Sequence, residues 1–132
     1  MGHKVGIIGY GGMAGWHVKK IMKSLENCEP TAVYDIDEAK LAAAEKDGMR
    51  PFSTLDEFLG KGDFDITLVA TPNNFHKPMA VAAMETGRHV IVEKPCALSS
   101  AEVSDMIEAA DRNRVLFSVH QNRRWDKDFL AV

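Results

Sequence analysis

The chain has 132 residues, a net charge of −3, and 45% apolar and 27% charged side chains, values that fit one ordinary globular domain. No basic run offers a surface for nucleic acid or an anionic membrane, and no apolar stretch approaches the ~20 residues of a membrane span. The expected ligand is therefore a small molecule.

A strand over residues 4–8 runs directly into Gly9-Tyr-Gly11-Gly12-Met13-Ala14. Gly9 permits a tight strand-to-helix turn, Gly11 removes a Cβ where a pyrophosphate would approach, and Ala14 in place of a third glycine still allows close helix packing. The spacing is that of a dinucleotide-binding turn. A helix follows, with Ala14, Val18, Ile21, Met22 and Leu25 along one face. Its first amides, those of Gly12 and Met13 among them, and the positive end of its dipole would face the phosphates. A second strand, Thr31 to Tyr34, ends in Asp35, where a carboxylate accepts hydrogen bonds from an adenine ribose. Its charge would repel a 2′-phosphate, and neither Ile36 nor Asp37 offers an arginine to receive one, so NAD is expected rather than NADP. Taken singly, the glycine turn also suits a fold that binds S-adenosylmethionine, and Asp35 also suits a turn cap.

The alternation continues. A helix over 37–47 is stopped by Gly48, a short strand covers 50–52, and Thr54-Leu-Asp-Glu57 has the form of a capping box for a helix that Gly60 and Gly62 terminate. Residues 65–70 form a nearly continuous apolar strand, 77–86 a helix closed by Gly87, and 89–92 a strand. Ser99-Ser-Ala-Glu102 is a second capping box, opening a helix with Val103, Met106, Ile107 and Ala110 on one face, before a last strand at 115–119. The methionine side chains at 13, 22, 79, 84 and 106 fall on core faces and receive no function. This order predicts an α/β doubly wound parallel sheet, a Rossmann fold, with six strands in the order 3-2-1-4-5-6 over residues 1–120. Residues 121–132 leave the rhythm and read as the start of a further domain. Cys28 and Cys96 have no CxxC spacing and no histidine-rich company, so neither a metal site nor a redox dithiol is expected. With no apolar signal-peptide core behind Met-Gly-His-Lys, the expected compartment is the cytoplasm.

In such a sheet, ligands lie beyond the carboxyl ends of the strands, where three polar segments arrive. They are Thr71-Pro72-Asn73 with His76, Glu93-Lys94-Pro95, and His120 to Trp125. Lys94, at a strand end, can hold a substrate hydroxyl beside a nicotinamide and exchange its proton. For base catalysis its ordinary pKa near 10.4 must fall by about three units, a cost of about 4 kcal/mol. Glu93 opposes that fall unless its side chain turns to the cofactor ribose, which makes it a candidate cofactor contact. His17 reads as structural, and Arg123 and Arg124 as solvated or paired at a domain edge.

The set Gly9-x-Gly11-x-x-Ala14-x-x-His17, Asp35, Thr71-Pro-Asn73-x-x-His76, Glu93-Lys-Pro95 and Asn122-Arg-Arg124 resembles the Gfo/Idh/MocA oxidoreductases, relatives of glucose-fructose oxidoreductase and inositol dehydrogenase, over nearly the whole chain. The resemblance implies that Lys94 is the catalytic lysine, that the Lys94–Pro95 peptide is cis, and that Thr71, Pro72, Asn73 and His76 border the cofactor. It further implies oxidation of a secondary hydroxyl of a sugar, cyclitol or related polyol. A second, larger domain would carry most substrate contacts, an Asp/His acid-base pair and the contacts of a homo-oligomer. On that expectation the 132-residue chain alone is inactive. Two other classes remain at this level. One is a non-catalytic dinucleotide-binding sensor or regulatory module, which has no need of Lys94; the other is a methyltransferase, which has no evident use for Glu93-Lys-Pro95.

Overall fold

The structure, a computed structural model, describes residues 2–21, 26–93 and 97–120. Lys94, Pro95, Cys96 and the whole of 121–132 lie outside the described residues, as do Met22 and Leu25. The cis peptide and the start of a further domain, both expected from the sequence, fall on those positions and so lie outside the described residues too.

Strand β1 (His3–Ile8) leads through the glycine turn to α1 (Gly12–Trp16), which continues as a π-helix over His17–Ile21. Then follow β2 (Cys28–Tyr34), α2 (Glu38–Lys46), β3 (Arg50–Phe52), α3 (Leu55–Lys61) and β4 (Ile66–Val69). A 3₁₀ turn (Asn73–Phe75) precedes α4 (His76–Glu85), and β5 (His89–Glu93), α5 (Ser100–Asn113) and β6 (Phe117–His120) complete the order. All five strand pairings are parallel and the order is β3-β2-β1-β4-β5-β6, the doubly wound arrangement read from the sequence.

The inner parts of the central strands are apolar on both sides because helices cover both faces of the sheet. Ile8, Val69, Val90 and Val92 face one core with Phe58, Met84 and Met106, while Val5, Ile7, Val33 and Leu68 face the other with Ala14, Ala44 and Met49. In β2 the register with β1 slips between Val5 and Gly6, so that Thr31 is passed over in the pairing. Pro30 lacks an amide hydrogen to give the ladder, and the Thr31 hydroxyl instead donates to the Asp63 carbonyl at 2.6 Å.

Local differences from the sequence reading have physical causes. Both capping boxes form: the Glu57 amide bonds Thr54 Oγ1, and the Glu102 amide bonds Ser99 Oγ while Glu102 Oε1 accepts from the Leu98 amide. Gly60, however, lies inside α3, which stops only at Gly62. Full burial of Phe58 in the preceding turn offsets the ~1 kcal/mol that a mid-helix glycine costs. Ile107, expected on the inner stripe of α5, is half exposed, and Ala109 takes the buried place beside Met106 and Ala110. The first helix keeps its α period only to Trp16 and continues as a π-helix, yet Val18 still packs against the core that holds Ala14, as the sequence stripe placed it.

Candidate functional site

The turn after β1 has the conformation its glycine requires. Gly9 has φ +89°, and a Cβ there would stand 3.0 Å from the Ala70 carbonyl oxygen, so that only glycine fits. Gly9 N–H donates to the Tyr34 carbonyl at 2.8 Å, which lashes the turn to the end of β2. Ala14, fully buried, sits in the core beneath α1. At Gly11 and Gly12, by contrast, a Cβ would meet nothing within 4 Å. Their missing side chains therefore serve no internal contact and leave the start of α1 open.

Asp35 follows β2 and is buried, with both carboxylate oxygens engaged: Tyr10 N–H donates to Oδ2 and Asp37 N–H to Oδ1, each at 2.8 Å. The same Tyr10 donates its hydroxyl to Asp47 Oδ2 at 2.6 Å. Burial, with that bond to Asp47, pushes the Tyr10 hydroxyl well above the ordinary tyrosine range.

Between Gly9 and Gly11, the end of β2 and the segment after β4 lies a cavity of about 400 Å³. Asp35, Ile36 and Lys40 form one wall, and Thr71, Pro72, Phe75 and Met79 the other. Ile36 is 88% exposed and Phe75 45%, two large apolar side chains presented at the cavity rather than packed into a core. The Thr71 hydroxyl is buried and has no hydrogen-bond partner among the described residues. Open glycine amides, a pinned carboxylate, an unused hydroxyl and apolar walls are the donor set a dinucleotide needs for phosphates, ribose and adenine. The residues fit that group.

Gly9, Gly11, Asp35, Thr71 and Pro72 are thus brought together at the cavity, and Gly12 lines an adjoining groove between α1 and α2. Met13 lies in α1, and Asn73 in the 3₁₀ turn beside the cavity wall. His76 is placed behind the wall: its ring is buried, and Nε2 donates to the Thr71 carbonyl at 2.8 Å, supporting the loop. Glu93 ends β5, buried, with Oε1 accepting from His17 Nε2. Ile36, Lys40, Phe75 and Met79 join the cavity without having been expected there, and the helical spacing of Met79 points to the core alone. An apolar residue directly after the acidic strand end is the available signal for Ile36; the others are cavity walls only because distant elements meet.

Fold and site together define a nucleotide-binding domain of the oxidoreductase class. Residues 3–121 match the family described as "Oxidoreductase family, NAD-binding Rossmann fold", and the chain belongs to it, the Gfo/Idh/MocA family. A scyllo-inositol 2-dehydrogenase (NADP(+)) of Bacillus subtilis is 30% identical over 131 residues, 98% of this chain and 36% of the relative. Among solved structures, an NAD-binding protein from Listeria innocua superposes with a TM-score of 0.92 at 38% identity, covering 98% of this chain and 38% of that one. The WlbA dehydrogenase from Chromobacterium violaceum, in complex with NADH and UDP-GlcNAcA, gives a TM-score of 0.92 at 30% identity, again over 98% of this chain and 38% of that one. The chain spans about a third of the length of the curated relatives it matches. No described helix is long and apolar enough to cross a membrane, and no cluster of metal-binding side chains occurs among the described residues.

Proposed function

We propose that this chain binds NAD(H) in preference to NADP(H), as the cofactor half of a dehydrogenase acting on a secondary hydroxyl of a sugar, cyclitol or related polyol. Asp35 carries the reading. With its two oxygens oriented by the Tyr10 and Asp37 amides, the carboxylate keeps lone pairs for ribose hydroxyls and presents a charge that repels a 2′-phosphate. The dinucleotide, when bound, supplies the hydride acceptor or donor.

The chain's own residues do the rest. The Gly11, Gly12 and Met13 amides face the pyrophosphate, Ile36 and Phe75 enclose the adenine, and Thr71, Pro72 and Asn73 border the cofactor with His76 bracing them from behind. Glu93 serves the nicotinamide ribose, and Lys94, next in the chain, holds the reacting hydroxyl and carries its proton. NADH beside a sugar nucleotide in the WlbA complex and the inositol substrate named for the B. subtilis relative support this class. The whole enzyme is a homo-oligomer with a second, substrate-holding domain. It works in the cytoplasm, which suits the free thiol of Cys28, and the isolated chain binds cofactor without turnover.

Calorimetric titration with NADH, NADPH and S-adenosylmethionine tests the reading. NADH should bind at least tenfold more tightly than NADPH, and S-adenosylmethionine should not bind. Preference for NADPH, as the name of the B. subtilis relative would have it, overturns the cofactor assignment. Loss of all dinucleotide binding overturns the function.

A further inference from the structure

Strand β5 ends in a buried acid, and the group that holds it comes from the first helical segment. Val90 and Val92 face one core and Ile91 the other, so the alternation of side chains puts Glu93 on the Ile91 side of the sheet. There His17 Nε2 donates to Glu93 Oε1. Both residues are buried, His17 6% and Glu93 7% exposed, and 76 positions separate them in the chain. His17 opens the π-helix directly after α1, and the Trp16 ring stands edge-on to it, centroids 5.6 Å apart. A buried carboxylate is costly unless it is held, so this bond ties the helix of the glycine turn to the carboxyl end of β5.

The tie lies on one side of the site. Asp35, Ile36 and Lys40 belong to the β2 side of the sheet, whereas Glu93 belongs to the β5 side, across the switch in strand order between β1 and β4. A dinucleotide laid over that switch, with its adenosine at Asp35, brings its nicotinamide half toward β5. We propose that His17 is a positioning residue: by holding Glu93 it fixes the end of β5 for the nicotinamide half of the cofactor and leaves the adenosine half alone. The π-helix is the local device that presents the imidazole, an insertion of the kind found at functional places in helices. This inference rests on the dinucleotide reading above.

The test compares NADH with ADP, which lacks both the nicotinamide and its ribose, by calorimetry on the wild-type chain and on H17A, H17Q, E93Q and H17A/E93Q. H17A should weaken NADH about tenfold and leave ADP within about twofold, H17Q should recover part of the loss, and the double variant should lose no more than either single one. Thermal midpoints accompany each titration. Should H17A fail to fold, H17Q carries the test, with an intermediate loss confined to NADH. Equal losses for both ligands, no loss for NADH, or additive losses in the double variant overturn the positioning role. A wild-type chain that binds neither ligand instead removes the dinucleotide reading, and this inference with it.

Discussion

The Tyr10 amide donates to Asp35 Oδ2 at 2.8 Å, so the glycine turn after β1 and the acidic end of β2 are parts of one hydrogen-bonded unit. Removing the carboxylate has two consequences. Asp35→Ala leaves the Tyr10 and Asp37 amides without their acceptor, and hydrogen bonds to charged groups contribute about 1.5–3 kcal/mol each, so a loss of about 3–6 kcal/mol is expected in urea unfolding. In calorimetry NADH should weaken at least tenfold while NADPH changes little or improves. An unchanged NADH to NADPH ratio would show that Asp35 is only a turn support.

Two glycines of the same turn should fail differently. Gly9 has φ +89°, and a methyl group placed on its Cα would stand 3.0 Å from the Ala70 carbonyl oxygen, so Gly9→Ala combines backbone strain with a contact. The cost should be about 2–3 kcal/mol in unfolding experiments. Gly11→Ala meets nothing within 4 Å and should leave stability within about 0.5 kcal/mol while obstructing the cofactor. The Gly11 variant should thus unfold like the wild type and bind NADH at least tenfold more weakly. Full NADH affinity in that variant would take the pyrophosphate away from this turn.

What was legible in the sequence was what short stretches encode. The Thr54 and Ser99 caps, strand 50–52 and the Gly9 turn each depend on a handful of neighbouring residues, and each is found where the spacing placed it. Strand order followed because alternating strands and helices have few allowed connections. The His17–Glu93 bond had no local signature, since nothing near His17 points to a residue 76 positions away. The same holds for Phe75 and Met79 as cavity walls: helical spacing identifies an apolar residue, and only the packing of α4 against the sheet decides whether it faces core or cleft. The π-helix after Trp16 likewise escapes a reading based on a uniform helical period.

Thr67 lies fully buried in β4, and its hydroxyl has no partner among the described residues. An unmatched buried hydroxyl costs about 1–3 kcal/mol, whereas valine has nearly the same shape. Thr67→Val should therefore raise stability by about 1 kcal/mol, read as a higher urea midpoint with an unchanged slope. A lower midpoint would mean that the hydroxyl has found a partner in solution.

Acid should act through Asp65. Burial works against its ionisation, yet the hydrogen bonds from the His3 ring at 2.6 Å and the Lys4 amide at 2.7 Å outweigh it and hold the carboxyl below its ordinary range. Since the folded value lies below the unfolded one, the stabilisation is fully present above the unfolded carboxylate range, near pH 4, and is lost as the pH falls through the folded value. The side chain is 47% exposed, so solvent screening keeps the effect small. Asp65→Asn should be less stable than wild type at pH 7, and the gap should close toward pH 2, where the wild-type carboxyl is protonated as well. Urea midpoints of both proteins at pH 7, 4 and 2 decide it: a gap that stays constant across that range would mean that the loss does not come from the carboxylate charge and that Asp65 adds nothing to the acid limb.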